Sequence, residues 1–371
     1  MNVLVTGGAG FIGQHTVHRL VSEGYRVTVL DNFMSRVHMD APEPDFPRDV
    51  QVVRADLLDR SRLEQLLRQA NSIIHLAAYQ DYLTDFSSFF ATNSVGTSLI
   101  YELILENKLH IDKIVVASTQ AVYGDGKYLC PEHGHFYGSR PLKQLELGDW
   151  EMKCPVCNGP STWTALDESD ANPVTPYGIS KFAAERFAIS MGEKYGIPTT
   201  CLRYSLVQGP GQSIYNAYSG IGRIFNQQLM NDKPLTIFED GEQNRDFVHV
   251  KDVAEANLLA LESHLTTGQI YNVGGEIPTT VNEYARKLIS LYGGGYEMEA
   301  PQLFRIGDAR HTFSSSAKLT AMGWQRKYTL DEIIRDAKAW FNLRNEQKDR
   351  SGEAIVVMSG QGVLRKSRQG H

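Results

Sequence analysis

Along the first half of the chain, short apolar runs alternate with longer stretches whose apolar residues recur every three to four positions. The runs are "NVLVT", "RVTVL", "VQVVRA", "SIIHLA" and "KIVVAS". They are nearly continuous in Val, Ile and Leu, as strands buried on both faces must be. Residues 11–22, 61–70 and 89–107 carry the helical period between them. Strands of this kind separated by helices predict a doubly wound α/β fold, a parallel sheet covered on both faces.

The alternation breaks over 125–169, a polar segment, and resumes with a helix over 176–195 and the strand "PTTCLRYSLV". Beyond residue 209 the pattern is mixed. "NAYSGIGRIFNQQLM" and "DVAEANLLALES" read as helices, "LTIFEDG" as an edge strand and turn, and "QIYNVGG" as a strand. The expected division is therefore 1–124 for the first part of the α/β domain, 125–169 for an insert and 170–208 for the second part. A smaller, mainly substrate-binding lobe with returning α/β elements follows over 209–344. The stretch 345–371 is charged and poor in aromatics, and reads as a flexible tail.

Composition narrows the function classes. The 371 residues carry a net charge of −6, which argues against binding nucleic acid or an anionic membrane. No apolar run reaches the roughly 20 residues of a membrane span. The start, "MNVLVTGGAGFIG", has no basic region before its apolar residues and is broken by glycines. A cytoplasmic location is expected, and with it four cysteines that do not form a disulfide framework.

The first strand runs straight into "GGAGFIG", with Gly7, Gly10 and Gly13 spaced GxxGxxG at the opening of a helix. Such a turn lets backbone N–H groups and a helix N-terminus face a pyrophosphate. The second strand ends in Asp31, placed to hydrogen-bond the adenosine ribose. A carboxylate there repels a 2′-phosphate, so NAD is favoured over NADP. The other reading of Asp31 is a turn cap.

"TPYGISK" sets Tyr177 and Lys181 one turn apart on a helix that Thr175 and Pro176 begin. A lysine ammonium near a phenol favours the phenolate, which makes the pair a candidate acid/base. "ASTQAVYG" supplies Ser118 and Thr119 at the end of the fifth strand, on the sheet edge where such folds bind ligands.

Together these residues resemble an extended short-chain dehydrogenase/reductase of the NAD-dependent epimerase/dehydratase family, acting on nucleotide sugars. The resemblance spans roughly 1–340, the insert excepted. It rests on "GGAGFIG", "LDN", "ADLLD", "HLAA", "NSVGT", "STQAVYG", "YGISK", "LRYSLVQGPGQ" and "NRDFVHVKDVA". It implies a Rossmann domain in which Tyr177 is the acid/base, Lys181 holds the nicotinamide ribose and Thr119 bonds the sugar hydroxyl being oxidised. Cofactor contacts are expected from Gly7, Gly10, Phe11, Ile12, Gly13, Asp31, Asn32, Asp56, Leu57, Leu76, Ala77, Ala78, Asn93, Ser118 and Tyr204. Substrate contacts are expected from Gln80, Asp81, Tyr82, Gln120 and Leu206, with the segment 215–218 on the nucleotide side. Arg245 and Arg310 resemble the arginines that clamp the diphosphate. The resemblance also implies a homodimer.

Members of this family epimerise, dehydrate, decarboxylate or reduce. Dehydratases carry an Asp-Glu pair after the threonine, and decarboxylases a glutamate at the second of those positions. Here the two positions are Gln120 and Ala121, which cannot ionise. Epimerisation at C4 through a 4-keto sugar and simple redox are the readings that remain; the first is preferred, with dehydratase, decarboxylase or reductase as the alternative. "AAYQDYLTDFS" and "NAYSGIGRIF" are similar to stretches of epimerases acting on dTDP-L-rhamnose, so the expected substrate is a dTDP-6-deoxyhexose or a UDP-hexose.

Inside the insert stand "CPEHGH" and "CPVCNG". Cys130 and His133, then Cys154 and Cys157, are pairs two residues apart in chain bent by Pro and Gly. Three thiolates and an imidazole close a tetrahedral shell for a structural zinc, in a zinc-ribbon-like module. His135 is the substitute for His133. Inert thiols or a thiol-exchange pair are the other readings. Cys201 lies in an apolar strand and reads as core. A rival of another class is a non-catalytic NAD-binding protein that uses the zinc module to hold a partner.

Overall fold

The five apolar runs become the strands Asn2–Thr6 (β1), Arg26–Asp31 (β2), Gln51–Arg54 (β3), Ser72–His75 (β4) and Lys113–Thr119 (β5). In the computed structural model, which describes residues 1–38, 44–81, 83–213, 220–343 and 351–368, they join a seven-stranded sheet. Its order is Gln269–Val273, Thr199–Tyr204, β5, β4, β1, β2, β3, and every pairing is parallel. β1 neighbours both β2 and β4, so the winding reverses at β1 and opens a crevice at the carboxyl strand ends. Val3 and Val5 pack with Val17 and Leu20 of helix Phe11–Ser22 and with Val253 and Ala256 of helix Val250–Glu262. Leu4 and Ile114 pack with Leu66, Ile100 and Leu103 on the opposite face. Both faces are dry, which is why the strands need apolar residues at successive positions.

A smaller lobe surrounds a second core that includes Phe225, Tyr284, Leu288 and Ile333. The insert forms a three-stranded antiparallel sheet from Lys127–Cys130, Gly134–Tyr137 and Thr162–Thr164. It shares its apolar cluster with the second lobe, Leu145 and Trp150 packing on Phe304. The tail departs from the expectation of a flexible end. Its residues Ser351–Gly360 form a helix, and Leu364–Lys366 pair antiparallel with Leu303–Arg305. The reason is the run "AIVVM": Met358 and Leu364 are buried beside Phe238 and Leu303. No described helix is long and apolar enough to cross a membrane.

Candidate active site

One cleft of about 1040 Å³ runs from the glycine turn, past the ends of β4 and β5, into the smaller lobe. Its near wall is Gly7, Gly10 and Ile12. Gly7 has φ +69°, and a Cβ there would meet the Ala77 nitrogen at 2.6 Å. A Cβ on Gly13 would meet the Gly7 carbonyl at 2.3 Å. Gly10 begins helix Phe11–Ser22 with no side-chain cap, leaving the first-turn N–H groups to whatever the cleft holds. The turn is therefore a cradle only glycine can form, and it suits a dinucleotide pyrophosphate.

Asp31 caps the turn, and the cap orients its carboxylate. Its oxygens accept the Ala9 N–H at 3.0 Å and the Phe33 N–H at 2.9 Å. Asn32 donates to Asp56 at 2.9 Å, and Asn93 holds the Tyr79 backbone and the Ser180 hydroxyl. None of these four side chains, nor Leu57 or Ala77, is among the residues that line this cleft, and Asn32 and Asp56 are exposed to solvent. Leu57 lies against Gly96, and Ala77 against Gly7.

At the centre Tyr177, Lys181, Ser118 and Thr119 line the cleft. The 20-residue helix Pro176–Tyr195 starts where Thr175 accepts the Gly178 N–H at 3.0 Å. That cap sets Tyr177 and Lys181 in its first turns, facing inward. Burial pushes the Tyr177 phenol up to about 12, against the lowering effect of its hydrogen bond with Thr119. Burial brings the Lys181 ammonium down to about 8. Thr119 also accepts the Ala121 N–H at 3.1 Å, and the Gln120 Oε1 is buried with no protein partner. An orphaned acceptor on a cleft wall calls for a donor from the ligand, such as a sugar hydroxyl.

Sequence reasoning missed Glu185, one turn beyond Lys181 on the same helix face. It accepts the Ser118 hydroxyl at 2.6 Å and both ends of the Arg203 guanidinium at 2.7 and 2.9 Å. The repeat Tyr177, Lys181, Glu185 at every fourth position was its signal.

Leu76, Ala78, Gln80, Asp81, Tyr204 and Leu206 also line the cleft, as do Phe11 and Arg245. Arg310 does not. It is fully buried and held by Glu151, Glu239 and Asp240, so its fork is saturated by carboxylates. Arg305 takes its expected place on the wall, paired with Asp308 at 2.7 Å, and Asp308 also meets Arg245 at 3.4 Å. Burial alone would raise Asp308, but Arg305 and Arg245 hold it below the usual carboxylate range. Tyr82 and the segment 215–218 lie outside the described residues.

In the insert, Cys130, His133, Cys154 and Cys157 bring their donor atoms within 4.8 Å of one another. His133 Nδ1 is 3.6 Å from the sulfurs of Cys130 and Cys154, and Cys130 is 3.8 Å from Cys157, sulfur to sulfur. None of the four lines the cleft. Cys201 is fully buried, as expected of a core residue.

A doubly wound sheet, a glycine cradle, a hydroxyl-bearing strand and a Tyr–Lys helix define the short-chain dehydrogenase/reductase class. Within it, the sequence model of the NAD dependent epimerase/dehydratase family matches residues 3–144 and 155–274, and the chain belongs to that family. It is similar to the dTDP-L-rhamnose 4-epimerase of Burkholderia thailandensis, 31% identical over 94% of this chain and 96% of that one. A UDP-glucose 4-epimerase of Halalkalibacterium halodurans is 30% identical over 92% and 95%. The solved UDP-glucose 4-epimerase of Thermotoga maritima, with UDP-glucose, superposes with a TM-score of 0.75 at 28% identity, over 93% of this chain and all of the other. That of Thermus thermophilus, in complex with NAD, gives 0.73 at 30% identity over 92% and 99%.

Proposed function

We propose that this protein is an NAD-dependent nucleotide-sugar 4-epimerase whose leading substrate is a dTDP-6-deoxyhexose such as dTDP-L-rhamnose, with a UDP-hexose next. The observation that carries the reading is the Tyr177–Thr119 hydrogen bond on a cleft wall whose next two residues, Gln120 and Ala121, cannot ionise. Elimination and decarboxylation lack the acidic side chain expected there. The 4-epimerases among the relatives support the same choice.

The glycine cradle and helix Phe11–Ser22 hold the pyrophosphate of NAD, and Lys181 its nicotinamide ribose. Bound there, NAD would supply the acceptor and later the donor of the sugar's C4 hydride. The Tyr177 oxygen removes the proton from the sugar 4-OH and gives it back after the 4-keto sugar has turned its other face. Thr119 steers that hydroxyl, and the charge of Lys181 favours the phenolate that burial resists. Gln120 accepts from a neighbouring hydroxyl, and Arg245 and Arg305 hold the diphosphate.

Cys130, His133, Cys154 and Cys157 hold a structural zinc in this reading. Tetrahedral bonds of about 2.3 Å to sulfur and 2.0–2.1 Å to nitrogen require edges of about 3.8 and 3.6 Å. Three of the six separations, 3.6, 3.6 and 3.8 Å, are close to those edges, the rest lying within 4.8 Å, and four protein donors would leave no open position for catalysis.

The test is incubation with a panel of UDP- and dTDP-sugars without added cofactor. Interconversion of C4 epimers with no net NADH is expected. Loss of water or carbon dioxide from the sugar would overturn the assignment.

A further inference from the structure

The insert reaches the loop at the substrate end of the cleft through two side chains, Arg140 and Glu151, of which Arg140 makes the contacts closest to the cleft wall. Arg140, buried, donates to both oxygens of Glu239 at 2.8 and 2.9 Å and to the Asp308 carbonyl at 2.8 Å. Glu239 in turn accepts from Arg310 at 3.2 Å, and its N–H donates to the Leu303 carbonyl at 2.8 Å. Its φ of +56° is the left-handed region, unfavourable for a glutamate unless its surroundings hold it there. Glu151, also of the insert, pairs with Arg310 and with His311. The loop from Leu303 to Thr312, which supplies Arg305 and Asp308 to the cleft, is thus gripped from behind by the insert.

The charges matter as much as the grip. Arg140 is answered by Glu239, and Arg310 by Glu151 and Asp240. Arg245 and Arg305 both pair with the carboxylate of Asp308. Arg245 also donates to the Arg310 carbonyl at 3.1 Å, so its position depends on the same loop. Burial holds its guanidinium below its usual range, with Arg305 and Arg140 adding to this against the opposing carboxylates of Asp308 and Glu239. The wall therefore presents two guanidinium forks on a fixed frame, a geometry suited to a diphosphate.

We propose that Arg140 is a positioning residue for the substrate's diphosphate, fixing the Arg245–Arg305 pair through Glu239 and the Asp308 backbone. This rests on the nucleotide-sugar reading and not on the metal. A lysine at 140 keeps the charge but cannot bridge two carboxylate oxygens and a carbonyl.

The test is calorimetric titration of the NAD-loaded full chain with UDP, dTDP and uridine, together with steady-state kinetics, on wild type, Arg140→Lys and Arg140→Met. Both variants should bind the nucleoside diphosphates about tenfold more weakly and show a comparable rise in KM. kcat should stay within about twofold, and uridine, which lacks the diphosphate, should bind as in wild type. A merely structural role would weaken uridine equally. An unchanged diphosphate affinity, a uridine loss of the same size, or a fall in kcat at constant KM overturns the proposal. If neither Arg140 variant folds, Glu239→Gln is required to show the same selective loss. Wild type that binds no nucleoside diphosphate overturns this proposal and the nucleotide-sugar reading together. Normal turnover in wild type with indifferent variants overturns this one alone.

Discussion

The Ser118 hydroxyl donates at 2.6 Å to Glu185, whose other oxygen takes the Arg203 guanidinium, so the strand that carries Thr119 is tied to the helix that carries Tyr177. Glu185 is fully buried and Arg203 nearly so. Removing the carboxylate leaves a buried guanidinium without its counter-charge. Glu185→Ala should therefore destabilise the fold by about 3–5 kcal/mol. Denaturant unfolding checks this, and a change under about 1 kcal/mol would show that the pair is dispensable.

Tyr177→Phe should lower epimerisation by about 10²–10⁴-fold while the protein still binds NAD. Burial already pushes the Tyr177 phenol up to about 12, and Lys181→Met removes the nearest cation that favours its phenolate, so the Tyr177 ionisation should move further up. The alkaline limb of tyrosinate absorbance, taken as the difference from Tyr177→Phe, measures it. A Lys181→Met protein whose phenol titrates like wild type would remove lysine from the role of activator.

Gly13→Ala tests the cradle. Its methyl would lie 2.3 Å from the Gly7 carbonyl and 2.6 Å from the Gly8 Cα, both backbone atoms that cannot swing aside. A loss of about 1–3 kcal/mol in stability and a larger loss in NAD affinity are expected, read by melting with and without NAD.

Asp246, fully buried, is pushed up to about 6 by burial, against the hydrogen bonds from Ser205, Gly275 and Ser314. Its value in the unfolded chain is 3.8, so between about pH 4 and 6 the folded state keeps a proton the unfolded chain has lost. The stability it contributes is full below that window and falls as pH rises through it. The difference in unfolding free energy between wild type and Asp246→Asn should change across pH 4–6 and be flat above.

Metal analysis should find one zinc per chain, and Cys154→Ser should lower both zinc content and melting temperature. Zinc far below one per chain, in protein whose thiols are reduced and reactive, would leave the cluster as plain cysteines.

The strands, the cradle and the Tyr–Lys helix were legible because their signals are local. A run of Val and Ile, a glycine spacing or a fourfold repeat survives without knowledge of distant chain. Arg310 was not legible in this way. "GDARHTF" places it beside the cleft, but the direction of its side chain is decided by Glu151, far away in sequence and brought there by the insert. Arg305 was passed over for the same reason. The end of the chain was misread because charged flanks hid "AIVVM", and nothing nearby in sequence announces that Phe238 and Leu303 await it. Asp31 is seen to cap its turn, as one of its two readings expects.

The pairing of Leu364–Lys366 with Leu303–Arg305 has a consequence for the order of events on the ribosome. Ile355, Met358 and Val363 supply an apolar stretch of the cleft wall, and Ile306 donates its N–H to the Val363 carbonyl. These residues are synthesised after everything else that shapes the cleft. Because this strand and helix come last in the sequence, that part of the wall can close only after the rest of the cleft has been made.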